Sequence, residues 1–204
     1  MGTQIDYKKF LGEQCTFNSR KYGTITVESA SFSPAVDGDL VAYFGKPLKA
    51  KRPLVRIHSL CVFAEVFDSD FCDCKDQLDI AFRELVDSKQ GILFYLRFDG
   101  RGAGLSAKVA ATALEVKGMD TYESRKKIGV APEGRDFSSI AEFLKQKGIT
   151  KITLLTNSPN KANDLRAHGI DVETKPLVVD NPNENVKRLY KTKAEKLGHT
   201  ISGF

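Results

Sequence analysis

"PLVRIHSLCVFAEVFDSDFCDCKDQLDIAFRELVDSKQGILFYLRF", residues 53–98, decides how this chain folds. Its ends, "PLVRIHSL" and "GILFYLRF", are short apolar runs that read as buried strands. Between them "DQLDIAFRELVDS" sets Leu78, Ala81, Phe82, Leu85 and Val86 on one helical face. Downstream come a glycine-rich loop, "FDGRGAGL", and a small-residue helix, "SAKVAATALEVKG". A second unit follows: helix "SSIAEFLKQKG" with Ser139 and Glu142 spaced as a capping box, strand "KITLLT", loop "NSPNK", helix "KANDLRAHG" and strand "IDVETKPLVV". Upstream, "GTITVESASF" and "DLVAYFG" alternate with turn-prone "SPAVDGD" and "GKPLKAK", which predicts a small antiparallel sheet. The expected fold is therefore α/β, a mixed sheet flanked by helices with an N-terminal antiparallel β portion. No repeat or linker divides the 204 residues, so they read as a single domain, β-rich over 1–52 with an α/β core over 53–200.

A composition of 41% hydrophobic and 28% charged residues is that of a globular protein. Runs such as "GILFYL" fall far short of the roughly 20 residues that span a bilayer, and the N-terminus lacks a signal-peptide core. The expectation is a cytoplasmic protein with no membrane partner. Thiols stay reduced there, so clustered cysteines point to metal binding or chemistry rather than disulfides. The excess of 31 Lys+Arg over 26 Asp+Glu favours an anionic ligand but is too mild to imply nucleic acid. The basic tail "VKRLYKTKAEKLGH" spaces Val186, Leu189, Tyr190, Ala194 and Leu197 as one apolar face, a docked amphipathic helix.

Three of the four cysteines stand close together in sequence. Cys72 and Cys74, two apart, face one way in an extended segment, and Cys61 can close a three-thiolate site. Three protein ligands with an open position is the catalytic form of a zinc site, and His58, Asp73 or Cys15 are candidates for a fourth. Inert buried thiols or a closed structural zinc stay open as readings at this point. Two loops suit phosphate. In "TNSPNK", Thr156 and Lys161 stand between strand and helix, where N–H groups and a lysine converge on an anion. In "DGRGAG", Arg101 lies among glycines that admit a close ligand. A turn with a solvated basic side chain is the alternative for each. Arg135 in "APEGRDF" precedes a helix start, with Glu133 and Asp136 as alternative surface ion-pair partners. An open zinc site together with phosphate loops implies hydrolysis of a nucleotide-like anion.

From residue 53 to about 200 the chain resembles the GTP cyclohydrolase II family, through "RIHSLC", "CDC" followed by "QLDIA", "GILFYLRFDGRGAGL", "ALEVKGMDTYE", "GRDF", "LLTNSPNK" and "TKAEKLGH" in order. The resemblance implies a zinc-dependent hydrolase that opens the imidazole ring of GTP at C8, releasing formate and pyrophosphate at the head of riboflavin synthesis. It implies Cys61, Cys72 and Cys74 as zinc ligands, and nucleotide contacts at Arg56, Ile57, His58, Ser59, Leu60, Gln77, Asp99, Gly100, Arg101, Thr121, Thr156 and Lys161. Arg135 takes the position of a nucleophile toward the α-phosphate and Glu133 that of the base. Mg²⁺ would accompany the triphosphate, and family members are homodimers.

Several positions depart from the family pattern. Leu60 replaces a glutamate, Asp99 a longer glutamate and Glu133 a shorter aspartate, and Thr112 stands where the family has an active-site tyrosine. Lys75 and Asp76 replace a small and aromatic pair. A threonine cannot reproduce a phenol's reach, and Tyr122 is a candidate replacement. The departures admit two further readings beside GTP ring opening: an enzyme with a formamide product or another nucleotide substrate, and a non-catalytic zinc- and nucleotide-binding homologue. Cys15 is expected to be a core thiol and His199 a helix-end residue.

Overall fold

The computed structural model describes residues 6–32 and 38–201, so most of the turn expected at "SPAVDGD" lies outside the described residues. The strands are β1 (Gln14–Ser19), β2 (Gly23–Ala30), β3 (Asp39–Gly45), β4 (Leu54–Ser59), β5 (Gln90–Leu96), β6 (Lys151–Leu155) and β7 (Asp171–Lys175). They form one mixed sheet in the order β1–β2–β3–β5–β4–β6–β7. Strands β1, β2, β3 and β5 pair antiparallel, whereas β5, β4, β6 and β7 run parallel.

The N-terminal strands are antiparallel, as expected, and extend the central sheet. The reason lies in β3, whose Val41 and Tyr43 face one core and Ala42 and Phe44 the other. A strand apolar on both faces needs cover on both, and pairing with β5 from Leu40↔Tyr95 to Gly45↔Gln90 places it there. Strand β1 is exposed almost throughout, and its polar "QCTFNS" carries no alternation to announce it. Cys15 lies on this edge strand and is exposed, which overturns its reading as a core thiol.

The helices are α1 (Val62–Glu65), α2 (Cys74–Ser88), α3 (Leu105–Glu115), α4 (Glu123–Lys127), α5 (Ser138–Gln146), α6 (Pro159–Ala167) and α7 (Glu184–Leu197). Ala81 and Leu85 of α2 pack with Phe44, Leu54 and Leu93 on one face of the sheet. On the other, Ile140 and Leu144 of α5 and Leu165 of α6 pack with Val55, Ile57, Ile92 and Phe94. Helix α2 comes so close to β5 that a Cβ at Gly91 would lie 2.6 Å from the Leu85 carbonyl oxygen. Any side chain there would push the helix off the sheet.

The capping box expected at Ser139 and Glu142 does not form. Helix α5 begins at Ser138, and its first N–H groups are met by Asp136 (2.8 Å from Ser138 N) and Asp164 (2.7 Å from Phe137 N). Ser139 Oγ turns instead to the Phe32 carbonyl at 3.4 Å. Two aspartates supply what the box would have supplied, so the motif spacing was coincidental.

Strand period decides what faces the site. Along β4, Val55 and Ile57 point toward α5 and α6, so Arg56 and His58 point with Leu54 toward α2. The chain leaves β4 through α2 for β5 on one side, while β6 lies on β4's other side. Loops after β4 and β6 therefore diverge, and a crevice opens beyond their carboxyl ends, the place where parallel sheets bind ligands.

Candidate active site

Cys61 ends the β4 connection and precedes α1, Cys72 lies in the irregular segment before α2, and Cys74 is the first residue of α2. The segment is not extended, as the spacing had implied, because the helix begins at Cys74. Irregular segment and helix start bring the sulfurs together all the same: the three Sγ atoms lie within 4.8 Å of one another, Cys61 and Cys72 at 3.5 Å. Hydrogen bonds from Cys72 and Cys74 pull the Cys61 thiol far below its ordinary range against the cost of burial. The hydrogen bond to Cys61 in turn pushes Cys72 up to about 11, and those to Cys61 and Cys72 push Cys74 well above its ordinary value. Three thiolates in such proximity need a cation to be charged together, and a soft, tetrahedral divalent ion such as Zn²⁺ fits this donor set. Among the described residues, none of the candidate fourth ligands joins the cluster. His58 donates to or accepts from Glu65 at 3.0 Å, Asp73 turns to Tyr190 and Gln77, and Cys15 is on the far edge of the sheet.

The cluster forms one end of a cleft whose open space is about 1180 Å³, solvent at its mouth included. Arg56, His58, Ser59, Leu60, Gln77, Asp99, Gly100, Arg101, Thr112, Thr121, Arg135, Thr156 and Lys161 line it together with the cysteines. Two expected residues do not. The Ile57 side chain belongs to the core, and only its carbonyl serves the site, accepting from Lys161 Nζ at 2.8 Å. Glu133 stands behind Arg135, engaging Nε at 2.7 Å and also Nη2, while Arg135 Nη1 donates to Ser59 Oγ at 3.1 Å. The Arg135–Glu133 pair is thus a half-buried clamp in the wall of the cleft, not a solvated surface pair.

Electrostatically the cleft is cationic and poorly compensated. Arg56 bonds the Leu155 carbonyl (3.1 Å) and Gln77 (2.8 Å), and its buried Nε has no partner. Arg101, held with Gly100 in the left-handed region, makes only long contacts of 3.4–3.5 Å to Thr121 and Pro132. Burial pushes both guanidinium groups down to about 10, with Arg125 and Arg135 adding to the effect on Arg101. Burial, then Arg135 and Arg56, pulls Lys161 well below its ordinary value. Arg56, Arg101 and Lys161 have no ion-pair partner among the described residues, and such charges are costly unless an anion joins them.

Several lining residues carried no sequence signal. Lys108 of α3 reaches both Asp99 (2.7 Å) and Cys61 Sγ (3.0 Å). Arg125 of α4 donates to Thr121 (2.9 Å) and Glu115 (3.2 Å). Helix α7 is docked as its apolar face predicts, yet it also sends Leu189 and Lys193 to the cleft. His199 follows its C-terminus, as expected of a helix-end residue, and lines the cleft too. Among the described residues no tyrosine lines the cleft, and Tyr122, the candidate phenol, lies instead beneath Lys126 and Lys196.

A sequence model described as GTP cyclohydrolase II matches residues 12–176. The chain belongs to the GTP cyclohydrolase II family. Among its relatives, the "GTP cyclohydrolase-2" of Buchnera aphidicola subsp. Schizaphis graminum is 43% identical over 78% of this chain and 81% of that protein. The "GTP cyclohydrolase-2" of Psychromonas ingrahamii is 42% identical over 78% of this chain and 79% of that protein. The "Riboflavin biosynthesis protein RibBA" of Endomicrobium trichonymphae is 36% identical over 98% of this chain, which spans about half (51%) of that longer protein. Leu60 and Thr112 line the same cleft as the cysteine cluster and the cations.

Proposed function

We propose that the chain is a zinc-dependent hydrolase that opens the imidazole ring of GTP at C8 and releases formate and pyrophosphate. One observation carries the reading: a three-thiolate donor set and three cations that have no ion-pair partner among the described residues line a single cleft. Cys61, Cys72 and Cys74 would hold Zn²⁺, which when bound activates water at neutral pH. Arg56, Arg101 and Lys161 would bind the triphosphate, accompanied by Mg²⁺, through charge-assisted hydrogen bonds. Arg135 is oriented by Glu133 on one side and Ser59 on the other, a geometry that supports contact with the α-phosphate and proton removal by Glu133. Thr121 and Thr156 supply hydroxyls at the same cleft. As in the family, the active form is a homodimer.

The absence of a tyrosine among the described residues of the cleft favours a second reading, in which the second hydrolysis is impaired and a formamide product leaves. Incubation of purified protein with GTP, Mg²⁺ and Zn²⁺, followed by mass analysis, separates the two. Formate with the diaminopyrimidine ribosylamine phosphate supports the first, and formamide product without formate the second. Bound but unchanged GTP would sink both and leave a nucleotide-binding homologue. Cys72→Ser is expected to abolish ring opening, and full activity in that variant would overturn the metal assignment.

A further inference from the structure

Lys108 has a position that none of the foregoing roles explains. It lies on α3, its side chain is 12% exposed, and its ammonium sits 3.0 Å from Cys61 Sγ and 2.7 Å from Asp99 Oδ1. The ring of Phe63 covers it at 4.9 Å. Asp99 is in turn immobilised: Oδ1 also accepts from Gly100 N at 2.7 Å and Oδ2 from Val62 N at 3.2 Å. Gly100, whose φ is 64°, lies next to the lysine, and a Cβ there would be 3.4 Å from the Lys108 Cβ. The lysine is therefore aimed at a sulfur, and the carboxylate that aims it has both oxygens engaged by the protein.

We infer that Lys108, anchored by Asp99, is a positioning residue of the metal centre, which donates a hydrogen bond to the Cys61 thiolate and weakens that sulfur's donation to the metal. The inference rests on the proposed metal site. Three thiolates around a divalent ion leave one net negative charge, and strong sulfur donation makes such an ion a weak electrophile. A standing ammonium at hydrogen-bond distance from one sulfur polarises that sulfur, while its own charge is balanced by Asp99. The ammonium thereby draws electron density from the sulfur, as partners of ligand atoms do at metal sites generally. Asp99 acts through Lys108 as its anchor rather than as a direct nucleotide ligand.

Cobalt substitution tests this apart from turnover. Wild type, Lys108→Met and Lys108→Arg are each loaded with Co²⁺, and the sulfur-to-cobalt charge-transfer band is recorded. Loss of the hydrogen bond raises the sulfur lone-pair energy, so the Met variant should absorb at longer wavelength, with the Arg variant between it and wild type. In the zinc-loaded enzyme, Lys108→Met should lower kcat about 10–100-fold with little change in KM for GTP, because the lysine faces the sulfur. A Met variant whose band superimposes on that of wild type overturns the inference and leaves the metal site standing. No charge-transfer band in wild type overturns the metal site, and the inference with it. Should the Met variant fail to fold, the Arg variant decides: its band must move, because a guanidinium cannot occupy the ammonium's place between Asp99 and Cys61.

Discussion

Lys161 is 7% exposed, donates to the Ile57 carbonyl at 2.8 Å, and feels Arg135 and Arg56 more strongly than Glu133, with no ion-pair partner among the described residues. Removing an ammonium from water costs several kcal/mol when no counter-charge joins it, and replacing buried charge by matched apolar groups gains about 1–4 kcal/mol. Lys161→Met keeps the chain length and gives up one hydrogen bond, worth about 1 kcal/mol. The variant should therefore be more stable than wild type, by roughly 1–3 kcal/mol. Triphosphate binding should move the other way. A hydrogen bond to a charged group contributes about 1.5–3 kcal/mol, so GTP affinity should fall about 10–150-fold.

Urea unfolding followed by far-ultraviolet circular dichroism suits a chain without tryptophan, and calorimetry reports the binding. The sign of the pH dependence is a further check. Burial and the two arginines hold the folded pKa of Lys161 below that of the unfolded chain, about 10.4. Its contribution to stability is therefore fully present above that value and is lost as pH falls through the folded pKa. Lys161→Met should lack this portion of the slope. A variant less stable than wild type at neutral pH would refute the claim that the cationic wall is strained in the absence of an anion.

Three other outcomes follow from particular contacts. Tyr190→Phe removes the 2.6 Å hydrogen bond to buried Asp73, between two metal-site cysteines, and should cost about 1.5–3 kcal/mol by urea unfolding; a loss under about 0.5 kcal/mol would show the bond to be dispensable. His199, depressed to about 3 by burial and then by Lys193, Lys161, Arg101 and Arg135, should stay neutral at pH 5, and stability should fall with pH from about 6.5 toward 3 more steeply than in His199→Gln. An NMR titration placing His199 near its ordinary value would contradict this. Thr112→Tyr restores a phenol to the cleft wall and should raise the ratio of formate to formamide product; an unchanged ratio would exonerate position 112.

The parts of the fold that were legible in sequence are those whose order depends on local pattern. The buried runs at 54–59 and 90–96 and the helical face of Leu78, Ala81 and Leu85 admit one arrangement, and the cysteines flank them. What stayed hidden depends on distance. Lys108 sits in an alanine-rich helix with no motif of its own and becomes meaningful only against Cys61, 47 residues away. The Asp73–Tyr190 bond spans 117 residues and turns an apparently ordinary tail helix into part of the metal loop's support. The β1 strand was missed because an edge strand exposed on both faces need not alternate. Cys15 was misread because burial is a property of its strand's place in the sheet, which its neighbours in sequence do not announce.

The topology mounts the sulfur cluster and the cations of the cleft on separate supports. The thiolates hang from the β4 exit and the start of α2, whereas Lys161 belongs to α6 and Arg135 to the loop before α5. These groups are carried by different loops on either side of the divergence between β4 and β6. Leu60 and Thr112 lie in the same cleft, yet neither supplies a sulfur to the cluster nor a charge to the cationic wall. On the proposed reading, a substitution there would alter what surrounds the reacting ring without removing a sulfur of the cluster or a charge of the cationic wall. If the product is a formamide, the cause should therefore lie with those two residues, and metal affinity and triphosphate affinity should both match those of relatives that release formate.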